Sequence, residues 1–257
     1  MADVLVCVKR VPDSSSEVVL TEDAQAVDGR YAGFTTSPHE ECAVELAVQI
    51  TAATGGEVSV LTLGDADAVE QLRSALAVGA TAATLVETDA SKLGPADVAR
   101  EVAAVVRAHE AGGTPHELVL LGNDAADSGD FQVGIRLAYE LGRPVVNGAK
   151  VVSVEGDTVT AHVDGPEGVE TYRVPLPAVV TIREGGVEPR YPSVPGRMKA
   201  KKVAIEERTL SAEPTGPKRV RLTLPPPVPS NVQVLGEGAA AAPAVVDLFE
   251  ELGVLAR

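Results

Sequence analysis

The chain has 257 residues, 45% of them apolar but only 3% aromatic, no Trp, and a formal net charge of −15. That length suits one large domain, or one domain with an appendage, around a core of Val, Leu and Ala. The acidic balance excludes nucleic acid and anionic membrane as main partners, because no basic face is left to displace counterions.

The first segment, "DVLVCVKRV" (3–11), is a short apolar run ending in two cations, a buried strand emerging at its carboxyl edge. The chain enters this strand without a basic leader, and no apolar run reaches the roughly 18 residues of a membrane span, so a cytoplasmic location is expected. Cys7 and Cys42 lie in apolar segments and are read as small core residues. Residues 12–36 are polar and turn-rich, with a hairpin expected around Asp28-Gly29. In "SPHEECAVELAVQITAATGG" (37–56) Ser37 is placed to cap a helix, Pro38 to open it and Gly55-Gly56 to stop it. Strands are expected at 57–64, 82–88 and 116–124, and helices at 65–80, 94–113 and 129–142. A fifth short strand is expected at 143–149. Strands alternating with helices and short loops imply βα units on a mainly parallel, open, doubly wound sheet. Ligands on such sheets gather at the carboxyl ends of the strands. That edge comprises Cys7 to Pro12, Leu63 to Asp65 and Gly122 to Gly134.

The pattern changes after residue 149. Turn signals at Glu155-Gly156-Asp157 and Asp164-Gly165 mark antiparallel strands, and "PAVVTIRE" is placed to rejoin the main sheet. Residues 1–208 are read as the α/β domain. Residues 209–257 are read as a Pro-rich arm ending in a short amphipathic helix at 245–257.

Chemistry concentrates in "LLGNDAADSGDFQVGIRLA" (120–138), which follows a buried strand and opens a helix. Its glycines let the backbone approach a ligand, and helix-start N–H groups attract anions, so a phosphate fits near 128–133. Asp124, Asp127 and Asp130 are awkward neighbours for a phosphate, and a plain βα turn fits the stretch equally well. Neither the three-glycine dinucleotide fingerprint nor a P-loop is present. His39, His109, His116 and His162 lack metal-ligand spacing, and no Ser/His/Asp set can be assembled. The pattern is that of a binding protein, not an enzyme. One segment breaks the acidic trend. "RYPSVPGRMKAKKVAI" (190–205) packs Arg190, Arg197, Lys199, Lys201 and Lys202 into thirteen residues, and its Pro and Gly content argues for a displayed loop.

"VLVCVKRVPD", the 120–138 stretch and "EPRYPSVPGRMKAKK" (188–202) together resemble the beta subunit of electron transfer flavoprotein, over about residues 3–208. "ALAVGA" (75–80) and "QVG" (132–134) agree. The resemblance implies a heterodimer whose alpha subunit carries most of the FAD, while the beta chain binds AMP, or a second FAD in bifurcating relatives. It implies electron transfer from acyl-CoA or other flavin dehydrogenases to a membrane quinone reductase, as in fatty acid beta-oxidation, with no catalytic residues in this chain. Carried across by position, the nucleotide site comprises Cys7, Val8, Lys9, Ser37, Pro38, His39, Glu40, Leu63, Gly122, Asn123, Asp124, Ala125, Ala126, Asp127, Ser128, Gly129, Asp130, Phe131, Gln132 and Val133. Ser37 stands where relatives commonly have Asn, and Phe131 where AMP-binding members have Asn, so AMP and a second FAD both stay open. The partner loop comprises Tyr191, Val194, Pro195, Met198, Lys199, Lys201 and Lys202, with Val194 at the tip that relatives fill with Leu. A stand-alone adenine-nucleotide-binding regulator and an ATP-using enzyme are the alternatives. Neither needs a basic loop and a Pro-rich arm.

Overall fold

Start and stop chemistry sets most element boundaries. The computed structural model describes all residues except 14, 16, 217, 218, 227, 228, 231 and 255–257. In chain order the elements begin β1 (Val4–Cys7), β2 (Val11–Pro12), β3 (Phe34–Thr35), α1 (Pro38–Thr54) and β4 (Val58–Gly64). They continue with α2 (Val69–Val78), β5 (Ala82–Glu87), α3 (Pro95–Ala111), β6 (Leu118–Gly122) and α4 (Val133–Leu141). Then come β7 (Val145–Glu155), β8 (Thr158–Gly165), β9 (Gly168–Pro175), β10 (Ala178–Ile182), α5 (Val194–Ala200), β11 (Ile205–Thr209) and α6 (Ala242–Glu251).

Nine strands form one sheet in the order β11-β5-β4-β1-β6-β10-β7-β8-β9. All pairings from β11 to β7 are parallel; β8 and β9 add an antiparallel meander. β10 returns between β6 and β7, as the sequence implies. Alternate residues of each strand feed opposite faces. Val4, Val6, Val58, Val60, Leu118 and Leu120 pack with α1 and α2 residues such as Leu46, Ile50, Leu72 and Leu76. Leu5, Leu61, Val119 and Leu121 pack with Val102, Val106 and Leu137 of α3 and α4. Helices therefore cover both faces, the arrangement that parallel strands require.

Several elements differ from the sequence reading. The turn near residue 28 is displaced: Leu20 bridges Val27 across residues 21–26, and β2 pairs with β3. The expected short strand at 143–149 is the first half of β7, which runs on through a register shift to Glu155. α4 begins at Val133, not 129, because residues 125–130 close their own turn through Gly129 N–H to Ala125 O (2.7 Å). α5 lies inside the segment read as a loop; Ser193 caps it and Pro195 occupies its first turn, where a missing N–H costs nothing. β11 was not anticipated. Met1–Leu222 form one compact unit and the residues from Thr223 onward another, which holds α6. The last three residues of the helix expected at 245–257 lie outside the described set. Among the described residues no helix is long and apolar enough to cross a membrane.

β11 is tied to its neighbours by a chain of polar contacts. Glu206 Oε2 accepts from Thr84 Oγ1 (3.0 Å) and lies 2.9 Å from His109 Nε2, while His109 Nδ1 lies 3.0 Å from His116 Nε2. With both rings neutral, His109 donates to Glu206 and accepts from His116, which leaves the buried His116 Nδ1 without a partner. Burial, and then His109, push the His116 pKa down to about 4. The unfolded chain, near 6.5, then takes up the proton first. Stability is thus complete above pH 6.5 and falls as pH drops toward 4. His116→Asn should remove roughly 2–3 kcal/mol of that acid dependence, read from urea midpoints between pH 7.5 and 4. Parallel profiles for variant and parent would refute it.

Candidate functional site

β1 lies where the strand order reverses: β4 and β5 run out to one side of it, and α3 carries the chain back to β6 on the other. Chain connections diverge there, which leaves a crevice at the carboxyl ends. A cavity of about 1310 Å³ occupies this position. Its floor is made by Cys7, Leu61, Leu63 and Leu121, and its rim by Val8 to Arg10, Gly64, Asp65 and the loop after β6.

Of the residues carried over by resemblance, Cys7, Val8, Lys9, Glu40, Leu63, Gly122, Asn123, Asp124, Ala125, Ala126, Asp127, Ser128, Asp130 and Val133 line this cavity. Ser37, Pro38, His39, Gly129, Phe131 and Gln132 do not. Ser37 is buried as the cap of α1, and Phe131 points to solvent with 59% of its surface exposed. The sequence reading missed the wall opposite. Residues of the 18–34 segment, Thr88 to Ser91, Pro95, Arg219 and Leu222 contribute there. Only Arg10, the second cation of "VKR", gave a signal. Its guanidinium carbon lies 3.5 Å from the Phe34 ring centroid, a cation–π contact, and its buried Nε has no partner.

Two glycines permit the close packing of the rim. A Cβ on Gly122 would lie 3.0 Å from Glu40 Cγ, so glycine lets the start of α1 meet the end of β6. A Cβ on Gly134 would lie 2.2 Å from Thr181 Cγ2, so α4 can approach β10 only without one. Thr181 Oγ1 in turn donates to Asn123 Oδ1 (2.7 Å), and Asn123 N–H donates to Ile182 O (2.9 Å).

The carboxylates of the loop are occupied. Lys9 Nζ donates to Asp127 (2.6 Å), and Ser128 Oγ donates to Asp130 (2.9 Å). His39 Nδ1 lies 2.6 Å from Asp124 Oδ1, an ion-pair distance at which that oxygen still takes no well-aligned hydrogen bond. Glu40 completes a capping box, accepting from Ser37 N–H (3.2 Å). Burial lifts its pKa to about 7, against hydrogen bonds from Ser37 and Lys9 that pull it down. Burial, and then Glu40, also raise the Cys7 thiol. Among the described residues no group of three His, Cys, Asp or Glu side chains could hold a metal ion.

The cationic segment stands apart from the cleft. Arg190 clasps Glu45 of α1 through Nε (2.6 Å) and Nη2 (2.7 Å), which fixes the start of the segment. A Cβ on Gly196 would lie 2.3 Å from Ala77 O, so α5 rests directly on α2. Arg73 donates to the carbonyls of Ala200 and Val203 and secures its far end. Tyr191 (93%), Val194 (77%) and Met198 (56%) remain exposed, as do Pro195, Lys199, Lys201 and Lys202.

The family described as "Electron transfer flavoprotein domain" matches residues 28–213. The chain belongs to the electron transfer flavoprotein beta subunit family. It is similar to "Electron transfer flavoprotein subunit beta" of Bacillus subtilis, 33% identical over 255 residues, which cover 96% of this chain and 97% of that one. The like-named protein of Syntrophomonas wolfei is 32% identical over 240 residues (93% and 92%). That of Mycobacterium tuberculosis is 35% identical over 217 residues (82% and 80%). Electron transfer flavoprotein beta subunits are electron carriers.

Glu40 gives a test of the rim. Its folded pKa of about 7 exceeds the ordinary value of 4.5, so folding loses free energy as pH rises between these values. Glu40→Gln keeps an acceptor for Ser37 and removes the charge. The variant's stability relative to the parent should grow by roughly 2–3 kcal/mol from pH 4.5 to pH 8 in urea unfolding. A pH-independent difference would contradict the shift.

Proposed function

We propose that the chain is the beta subunit of a heterodimeric electron transfer flavoprotein: its cleft holds an adenine nucleotide, AMP, and its α5 segment meets redox partners. The observation that carries the reading is the crevice at the strand-order reversal, into which most of the carried-over nucleotide residues project. The objection from acidic neighbours is met in part by the ion pair of Asp127 with Lys9, while Asp130 accepts from Ser128 and His39 approaches Asp124. Those contacts leave the start of α4 to face an anion. FAD, carried mainly by the alpha subunit, supplies the redox chemistry; this chain's residues bind and orient.

A second reading, a bifurcating-type subunit with a second FAD, is favoured by the cavity's size. Its 1310 Å³ exceeds the roughly 300–1,000 Å³ usual for one drug-sized ligand. Acid extraction of the purified heterodimer separates the two. One AMP per dimer supports the first, two FAD the second, and a colourless chain that assembles with no flavoprotein partner refutes both.

The exposed Val194 tip suits a hydrophobic socket on a dehydrogenase, acyl-CoA or other flavin-dependent, and the downstream lysines suit an acidic rim around it. A membrane quinone reductase is the expected acceptor, and the cytoplasm the expected location. Val194→Ala removes two carbons at about 0.8 kcal/mol each, so reduction by the cognate dehydrogenase at subsaturating concentration should slow roughly tenfold. The thermal midpoint and flavin content should stay near parental values, since Val194 is 77% exposed in its own chain. An unchanged reduction rate would remove the docking role.

A further inference from the structure

The chain beyond β11 is held against the α/β unit by an unusual set of acceptors. Asp97, fully buried in the first turn of α3, accepts from Thr215 N–H (2.9 Å), Thr215 Oγ1 (3.0 Å) and Gly216 N–H (2.8 Å). It also accepts from Gly94 N–H (3.1 Å) and Arg100 (2.9 Å). One turn on, Glu101 accepts from Ser211 N–H (2.6 Å) and Oγ (3.0 Å). Burial alone would raise the Asp97 pKa, but the hydrogen bonds from Thr215, Gly94, Gly216 and Arg100 outweigh it and hold the carboxyl well below its ordinary range. The fit at Gly216 admits no side chain: a Cβ there would lie 2.7 Å from Asp97 Oδ2 and 2.8 Å from Gly94.

A few residues later the chain is docked again, on the 18–34 segment. Leu222 N–H donates to Ala24 O (2.8 Å), Gln25 Nε2 donates to Val220 O (2.9 Å), and Arg219 donates to Gln25 O. Ala24 has φ +54°, rare for a residue with a Cβ, in the turn that offers this carbonyl. Both docking points border the cavity: Pro95 and Val98 of α3 line it beside the first, and Ala26 to Asp28, Arg219 and Leu222 line it at the second.

We infer that residues 211–216 and 219–222 are a strap whose Arg219 and Leu222 wall the cleft and retain its nucleotide, with Asp97 and Gln25 as the residues that position it. The retention part rests on the nucleotide reading above. The strap acts by slowing release: the ligand leaves only when one anchor lets go. Asp97→Asn trades acceptor capacity for an N–H donor facing other donors, and Gln25→Ala weakens the far anchor by removing one of its three hydrogen bonds without touching α3 or the core. Both act through the same segment, so their effects on release should not add.

The test uses the full-length heterodimer, with AMP as the probe. Loss of a hydrogen bond to a charged group should speed AMP dissociation roughly ten- to hundredfold in Asp97→Asn. Gln25→Ala should give a smaller acceleration, and the double variant no more than the larger single effect. A merely structural role would instead lower the thermal midpoints additively and leave dissociation alone at temperatures well below them. The second measurement needs no nucleotide: the rate at which N-ethylmaleimide labels Cys7 on the cleft floor, with the buried Cys42 as internal control. The strap predicts faster Cys7 labelling in both variants at unchanged Cys42 labelling. If the parent heterodimer binds no AMP, the nucleotide reading falls, and Cys7 labelling alone decides whether the strap walls the cleft. Parental dissociation in a heterodimer that binds AMP, or parental Cys7 labelling in both variants, overturns the strap.

Discussion

Double-sided pairing of β1 is the constraint on which the rest of the molecule depends. Val4 to Cys7 are hydrogen-bonded in parallel to β4 on one side and to β6 on the other, in continuous register. Its side chains alternate between the α1/α2 core and the α3/α4 core, so four residues join both layers. A one-residue slip would exchange those faces. It would also shift Cys7 to Arg10 relative to Gly64 and Gly122, and the cleft exists only because those three ends terminate together. Stability and binding geometry therefore share one register.

A second theme is the use of carboxylates as tethers in a strongly acidic chain. Glu40 caps α1, Glu45 holds Arg190, Asp97 and Glu101 hold the chain beyond β11, and Glu206 ties β11 to α3. Carboxylates suit this task because one oxygen pair accepts several N–H bonds at once, and charge-assisted bonds are stronger than neutral ones. Burial without such bonds would cost several kcal/mol per charge. These acids are thus structural by virtue of their donors, not in spite of their charge.

The sequence displayed what depends on local chemistry. Ser37-Pro38 and Gly94-Pro95 announce α1 and α3, apolar runs announce the central strands, and "PAVVTIRE" announces β10. Family motifs led to fourteen of the cleft-lining residues, most of which sit on the loops after β1 and β6. What stayed hidden depends on distant partners. β11, "IEERT", is charge-rich and becomes a strand only because β5 presents an open edge. α5 carries two helix-unfriendly residues within three positions and is held by α2 through Arg73 and the close approach at Gly196. Asp97 and Glu101 look like ordinary surface positions on an amphipathic helix until residues 211–216 arrive from more than a hundred positions away. The 18–34 wall gave little signal because it has almost no regular structure.

No residue from Gly122 to Val133 is fully buried. The loop that borders the cleft is thus held by its backbone turn, by the bonds of Asn123 to Thr181 and Ile182, and by the part-exposed ion pair of Lys9 with Asp127. Ion pairs of this kind weaken as the Debye length shrinks, from about 10 Å in 0.1 M salt to about 3 Å at 1 M, whereas the apolar layers beneath do not. Ionic strength is therefore a dial that loosens the rim while leaving the sheet intact.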